Sequence, residues 1–459
     1  MKLLLKYFIF FLPLISFGQN STNFRSFKQA LELSKLQDKP ILIIIEPSSS
    51  DKSTINAKET LHSSDFSKIA GEHFVLYETT IDNPSIKHIV SKYKITALPT
   101  FLFIHNNEEA FLKETGYSPI ASQYIEMINL AIKKKEEKPL SILEKEFTEN
   151  QNNDLHLKKL IVARKSIGIT DNAELIEKYV STVPAEQLEE YETVLFILEA
   201  GPYADGNAFK VAFANKNLIS SIYRNSTGGT FSKIRTTITD NTMINAIRTK
   251  NLNQAKAVGN YLKELAGPIY GPKNYTSTLL SYYKGVGDTT NFIKEAITFY
   301  DENYMTLTAE TIKKMQQKYL HSEILKTLPF STPTVVKSDN DSIEIAAIGV
   351  KNKTISISSI PVGNDNLYAN ILNNIAWDFY KTGTKNINYL TKAMIWSRRS
   401  IELYQSANYY DTLAHILYRL TYLNEAIKIQ ELAISQAKIQ KIPFATMQEE
   451  LKKMKNKTL

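Results

Sequence analysis

The sequence predicts an α/β domain at the N-terminal end followed by a long all-α region. Three observations carry this. Ile41 to Ile45 is an unbroken aliphatic run between Pro40 and Pro47, the signature of a strand buried on both faces. Short β-rich runs alternate with amphipathic helical stretches as far as residue 132. Beyond residue 140, apolar residues recur at helical spacing, with Gly-Pro pairs as punctuation.

The chain has 459 residues, enough for two or three domains. Residues 1–18 read as a secretory signal. Lys2 and Lys6 form its positive end, Tyr7 to Phe17 its apolar run, and Ser16 and Gly18 the small residues of a cleavage site. Cleavage after Gly18 is expected, leaving no membrane span and placing the protein in the periplasm or outside the cell. The run is too short for a comfortable span, which needs about 20 residues.

Within residues 22–132, Ser26 to Leu36 predicts a helix that Asp38-Lys39-Pro40 ends, because the residue before a proline avoids helical dihedrals. Ile41–Ile45 is the central strand. Phe66 to His73 reads as a helix end, Phe74 to Tyr77 as a second strand and Ser85 to Tyr93 as a short helix. Pro99 has no N–H to donate and suits the first residue of a strand running to Ile104. A polar turn at Asn106-Asn107, a strand from Ala110 to Leu112 and a helix opened by Ser118-Pro119 complete the domain.

The order and spacing of these segments resemble the thioredoxin-like family. Lys39-Pro40 before the central strand, Tyr93-Lys94-Ile95 before Leu98-Pro99-Thr100, and Gly116-Tyr117 after the last strand stand where that family has comparable residues. The resemblance implies a cis peptide at Pro99. It also implies that Leu98, Pro99 and Thr100 form a groove where an extended peptide pairs with the backbone by strand addition. It aligns Ser49 and Lys52, within Glu46-Pro47-Ser48-Ser49-Ser50-Asp51-Lys52-Ser53, with the two cysteines of the family's redox motif.

The chain contains no cysteine. Thiol–disulfide exchange needs a thiolate to attack and a second thiol to resolve the mixed disulfide, and a serine hydroxyl supplies neither. The family's buried carboxylate is absent too, with Ile43 and Ile44 in its region. A Ser/Lys nucleophile pair at Ser48–Ser50 and Lys52 is conceivable, but a polar loop capping a helix explains the same residues. None of the seven histidines has the spacing of a metal-ligand pair. Thr227-Gly228-Gly229-Thr230 lacks the lysine and preceding strand of a phosphate loop and reads as a turn. No cofactor is called for. The +8 charge is interspersed with acids, so nucleic acid is not an expected partner.

Residues 133–139 form a charged linker, and residues 140–330 run helix after helix. Gly201-Pro202, Gly267-Pro268 and Gly271-Pro272 separate them. Residues 331–365 alternate apolar and polar positions and read as an irregular or hairpin-forming insertion. Residues 366–440 resemble tetratricopeptide (TPR) repeats. Ala393 and Ala426 lie 33 residues apart, and Tyr410, Leu413, Ala414, Leu417 and Ala433 occupy positions where that repeat places large and small side chains. Residues 441–459 read as a basic tail, a solvated helix end carrying Lys452, Lys453, Lys455 and Lys457.

The function expected is an exported, redox-inactive module that binds a protein or peptide through the Pro99 groove or the helical-repeat surface. The alternative is a hydrolase-type envelope enzyme with its site in the helical region. Only the dense tyrosines Tyr270, Tyr275, Tyr282 and Tyr283 point that way, and helix packing explains them equally.

Overall fold

The computed structural model describes residues 24, 26–48, 61, 64–225, 228–306, 308, 310–311, 334–337, 343–346 and 367–459. The expected signal, with its cleavage site, and residues Ser49 and Lys52 lie outside them. The chain is mostly helical, with a small mixed sheet near the N-terminus. It divides into two compact units, Met1–Val258 and Gly259–Leu459.

In the first unit, Ser26 caps helix α1 (Phe27–Gln37), its hydroxyl accepting from the Gln29 N–H, and Asp38 ends it in the left-handed conformation, φ 49°. Strand β1 (Ile41–Glu46) follows. It pairs parallel with β2 (Val75–Thr80) and antiparallel with β3 (Thr100–Ile104), which pairs antiparallel with β4 (Ala110–Thr115). The strand order is β2-β1-β3-β4.

Side chains alternate along the central strands, so β1 feeds two cores. Ile41, Ile43 and Ile45 join Leu102 and Ile104 of β3 beneath Phe27 and Ala30 of α1 and Ile89 of α3 (Lys87–Lys92). Leu42 and Ile44 join Phe101 and Phe103 against Phe66 and Ala70 of α2 (Ser64–His73) and Tyr124, Ile128 and Ala131 of α4 (Ala121–Lys134). All five aliphatics of β1 are fully buried. Each contributes roughly 1.5–3 kcal/mol, which accounts for a strand with no polar face. Phe74 and Phe103 meet edge to face at 5.2 Å.

The first core does not stop at the expected linker. Ile167 is one of its buried members, with Leu140 and Ile169 packed against it. These belong to or follow α5 (Leu140–Glu149) and α6 (Asp154–Ser166). Glu109, in the β3–β4 turn, caps α5 from outside the helix. Its carboxylate accepts the Ser141 N–H at 2.7 Å and the Ser141 hydroxyl at 3.0 Å. Helices α7 (Ala173–Thr182), α8 (Tyr191–Ala200), α9 (Asn207–Ala214), α10 (Lys216–Asn225) and α11 (Gly228–Thr249) follow. A 3-10 turn over Ala185–Glu189 leads into α8. Gly228, Gly229 and Thr230, expected in a turn, open α11, where missing side chains cost little. Asn241 of α11 holds two loops together, its Nδ2 donating to the Gly201 carbonyl at 2.7 Å and the Thr170 carbonyl at 2.9 Å. Gly201 has φ 73°, and a Cβ there would lie 2.3 Å from Thr237 Cγ2.

Helix α12 (Leu252–Val286) breaks at Gly267, φ 71°. The Gly271-Pro272 pair, expected to punctuate, lies inside the second arm of α12. Gly271 is needed for close approach, since a Cβ there would lie 2.4 Å from the Lys263 carbonyl oxygen. In the second unit, α13 (Thr289–Tyr300), α14 (Leu367–Lys381) and α15 (Ile387–Leu403) enclose a core around Phe292, Phe379 and Trp396. Asp301 accepts from Trp396 Nε1 at 3.0 Å and Lys392 Nζ at 2.6 Å. Strands β5 (Thr334–Lys337) and β6 (Ile343–Ala346) pair antiparallel. Helices α16 (Ala407–Arg419) and α17 (Leu423–Ile439) pack together, with Ala414, Ala426 and Ala433 fully buried. The expected basic tail is helix α18 (Ala445–Lys455), which buries Met447 and Met454 and leaves its lysines outward.

Candidate functional site at the Pro99 end of the sheet

The Leu98–Pro99 peptide bond is cis. Pro99 and Thr100 are buried at the start of β3, and Leu98 is half-buried against the first core. The Thr100 hydroxyl donates to the Ala97 carbonyl at 2.6 Å, closing the turn that carries Leu98. The Pro99 carbonyl accepts the Gly116 N–H at 2.9 Å, tying the turn to the end of β4. Gly116 sits at φ 95°, which excludes most side chains. Among the described residues, the Leu98 N–H and C=O have no backbone partner. Leu98, Pro99 and Thr100 therefore come together as one short, partly open backbone segment.

The ends of the neighbouring strands supply polar groups. Glu46 closes β1, and its carboxylate accepts the Tyr117 hydroxyl at 3.1 Å. Burial, and next the adjacent Glu46 charge, push Tyr117 up to about 12. The Ile81 N–H donates to the Glu46 carbonyl at 3.0 Å, fixing the loop after β2. In that loop Asp82 is exposed and held below the usual carboxylate range, first by the Thr80 hydroxyl at 2.6 Å and then by Ser48. Tyr124 accepts the Ser118 N–H at 2.8 Å and orients the chain leaving Tyr117. The arrangement offers backbone pairing groups beside the Glu46–Tyr117 pair, and the chain has no thiol to place there.

The tyrosines noted in the helical region do not converge. Tyr282 is buried, Tyr283 packs edge-on against it, Tyr275 covers Gly259, and Tyr270 is 62% exposed. Among the described residues, no group of three or more His, Asp or Glu side chains is placed to hold a metal. No helix among them is long and apolar enough to cross a membrane.

No family model matches the chain, and no curated protein does. Among solved structures, one described as a DsbH oxidoreductase is similar at 26% identity. The match covers 24% of this chain and 86% of that one, with a TM-score of 0.22.

Proposed function

We propose that the N-terminal α/β domain is thioredoxin-like, that helices α14 to α17 form a TPR-like array, and that the protein is an exported, redox-inactive module of the cell envelope that binds a protein or peptide. The observation that carries this reading is the Leu98 backbone, without a backbone partner among the described residues, beside Pro99 in a chain without cysteine. An extended peptide pairs there by strand addition, its main chain giving affinity and its side chains specificity.

The experiment places a photo-crosslinking amino acid at Ala97, beside the open backbone, in the full chain made in its own host. A second chain carries it at Ile387, 71% exposed on α15. A discrete adduct from position 97, lost when excess chain without the crosslinker competes, supports the groove. An adduct from 387 alone moves the binding role to the helices. Illumination that yields no adduct from either position removes the binding-module reading.

A further inference from the structure

A second cleft lies away from the Pro99 end, between the start of β4 and helices α5 and α6. It encloses about 680 Å³, within the size range of small-molecule sites. One wall is apolar, built from Leu140, Ile167 and Ile169. The lining also carries three lysines, Lys92, Lys94 and Lys113.

Among the described residues these lysines form no ion pair. Lys113 is half-buried and donates only to the Tyr93 carbonyl, at 3.2 Å. Lys92 donates to the Glu108 carbonyl at 3.0 Å and lies over the Tyr93 ring. Two of the acids lining the cleft are occupied, Glu109 by capping α5 and Glu144 by Arg164 at 3.5 Å. Asp171 is the one remaining carboxylate of the lining. Burial drives the Lys113 ammonium toward its neutral form. A partly desolvated cation facing an open cavity is costly until an anion meets it.

The backbone makes room for that cation. Gly168 has φ 78°, and a Cβ there would lie 2.5 Å from Lys113 Cε and 2.7 Å from its Nζ. The lysine stem therefore lies across a bare glycine, with its head at the cleft wall.

We propose that this cleft binds an organic carboxylate, its head group on Lys113 and its apolar body along Leu140, Ile167 and Ile169. Of the three lysines Lys92 and Lys94 are exposed and Lys113 alone is half-buried, and one half-buried ammonium matches one negative charge. The carboxylate belongs either to a free small acid or to the C-terminus of a peptide.

The test is calorimetric titration of the full chain with hexanoate, with neutral hexan-1-ol, and with a leucine-ended tripeptide as free acid and as amide. At least one acid should bind at about 1 mM or tighter while its neutral counterpart does not. Lys113→Gln should weaken that acid by about tenfold or more, and Lys113→Arg should retain it. Binding by hexanoate alone identifies a small acid as the ligand, and binding by the tripeptide acid alone identifies a chain end. The proposal is overturned if neither acid binds, if the neutral compounds bind equally well, or if Lys113→Gln leaves affinity unchanged. Should Lys113→Gln unfold, isotope-labelled dimethyl-lysine in the unmutated chain gives the reading directly. The Lys113 signal must move with hexanoate and stay still with hexan-1-ol, and a still signal with hexanoate overturns the proposal.

Discussion

The Tyr117–Glu46 hydrogen bond links the end of β1 to the exit from β4 at the candidate groove, and its strength follows from the structure. A hydroxyl pushed from its ordinary value near 10 to about 12 corresponds to roughly 2.7 kcal/mol of preference for the protonated form. Burial is the first cause of that shift, so the carboxylate accounts for the smaller share. Tyr117 is also partly exposed, and solvent screens the pair further. About 1 kcal/mol of coupling remains. A double-mutant cycle of Tyr117→Phe, Glu46→Gln and the double variant, read by urea unfolding, measures it and cancels whatever else each side chain touches. The sign with pH is fixed. The native state favours the neutral phenol, so this stability is fully present below pH 10 and is lost as pH rises through about 12, because the unfolded chain ionises first. Tyr117→Phe should therefore lose less stability than the unmutated chain across that window. A coupling below about 0.3 kcal/mol, within the additivity error of distant sites, refutes the reasoning.

His105, whose Nε2 is buried with no partner among the described residues, is held below its ordinary value by burial. Its neutral form is the stable one, so its contribution is present above about pH 6.5 and is lost as pH falls. Thermal melts at successive pH values should show a shallower acid loss for His105→Phe, and an unchanged slope contradicts this. Asp301→Ala leaves the buried Trp396 N–H without its acceptor and should cost about 1–3 kcal/mol in chemical denaturation. Gly201→Ala combines an unfavourable backbone angle with a clash on Thr237 and should destabilise by more than about 1 kcal/mol. Thr237→Ser in the same chain should recover part of that loss, and no recovery would place the cost in the backbone angle and the Asn241 side chain, which the new Cβ also meets.

What was legible in the sequence was local. The Ser26 cap, the aliphatic strand and the strand start at Pro99 each depend on a few adjacent residues, and each appears where its chemistry requires. What was not legible joins distant residues. The contact of Glu109 with Ser141 spans 32 positions and carries no motif. The lysine cleft likewise arises only when α6 and the loop after it fold against β4. One local reading differs from the structure for an identifiable reason. The paired glycines at 228 and 229 suggest a turn, but they stand in the first turn of a helix, where glycine is tolerated. The C-terminal lysines stand on the exposed side of α18, and Met447 and Met454, seven residues apart and so on one helical face, form its buried side.

The cap that Glu109 places on α5 bears on where this protein can be cut. A fragment ending at the charged linker keeps all four strands of the main sheet, yet it strips Ile167 from the first core and leaves the Glu109 carboxylate with no helix to hold. Grafted onto another protein, residues 22–132 would carry an open apolar seam and would tend to aggregate. The smallest transplantable piece runs past Ile169, and so takes its first two helices, and the lysine cleft, wherever it goes.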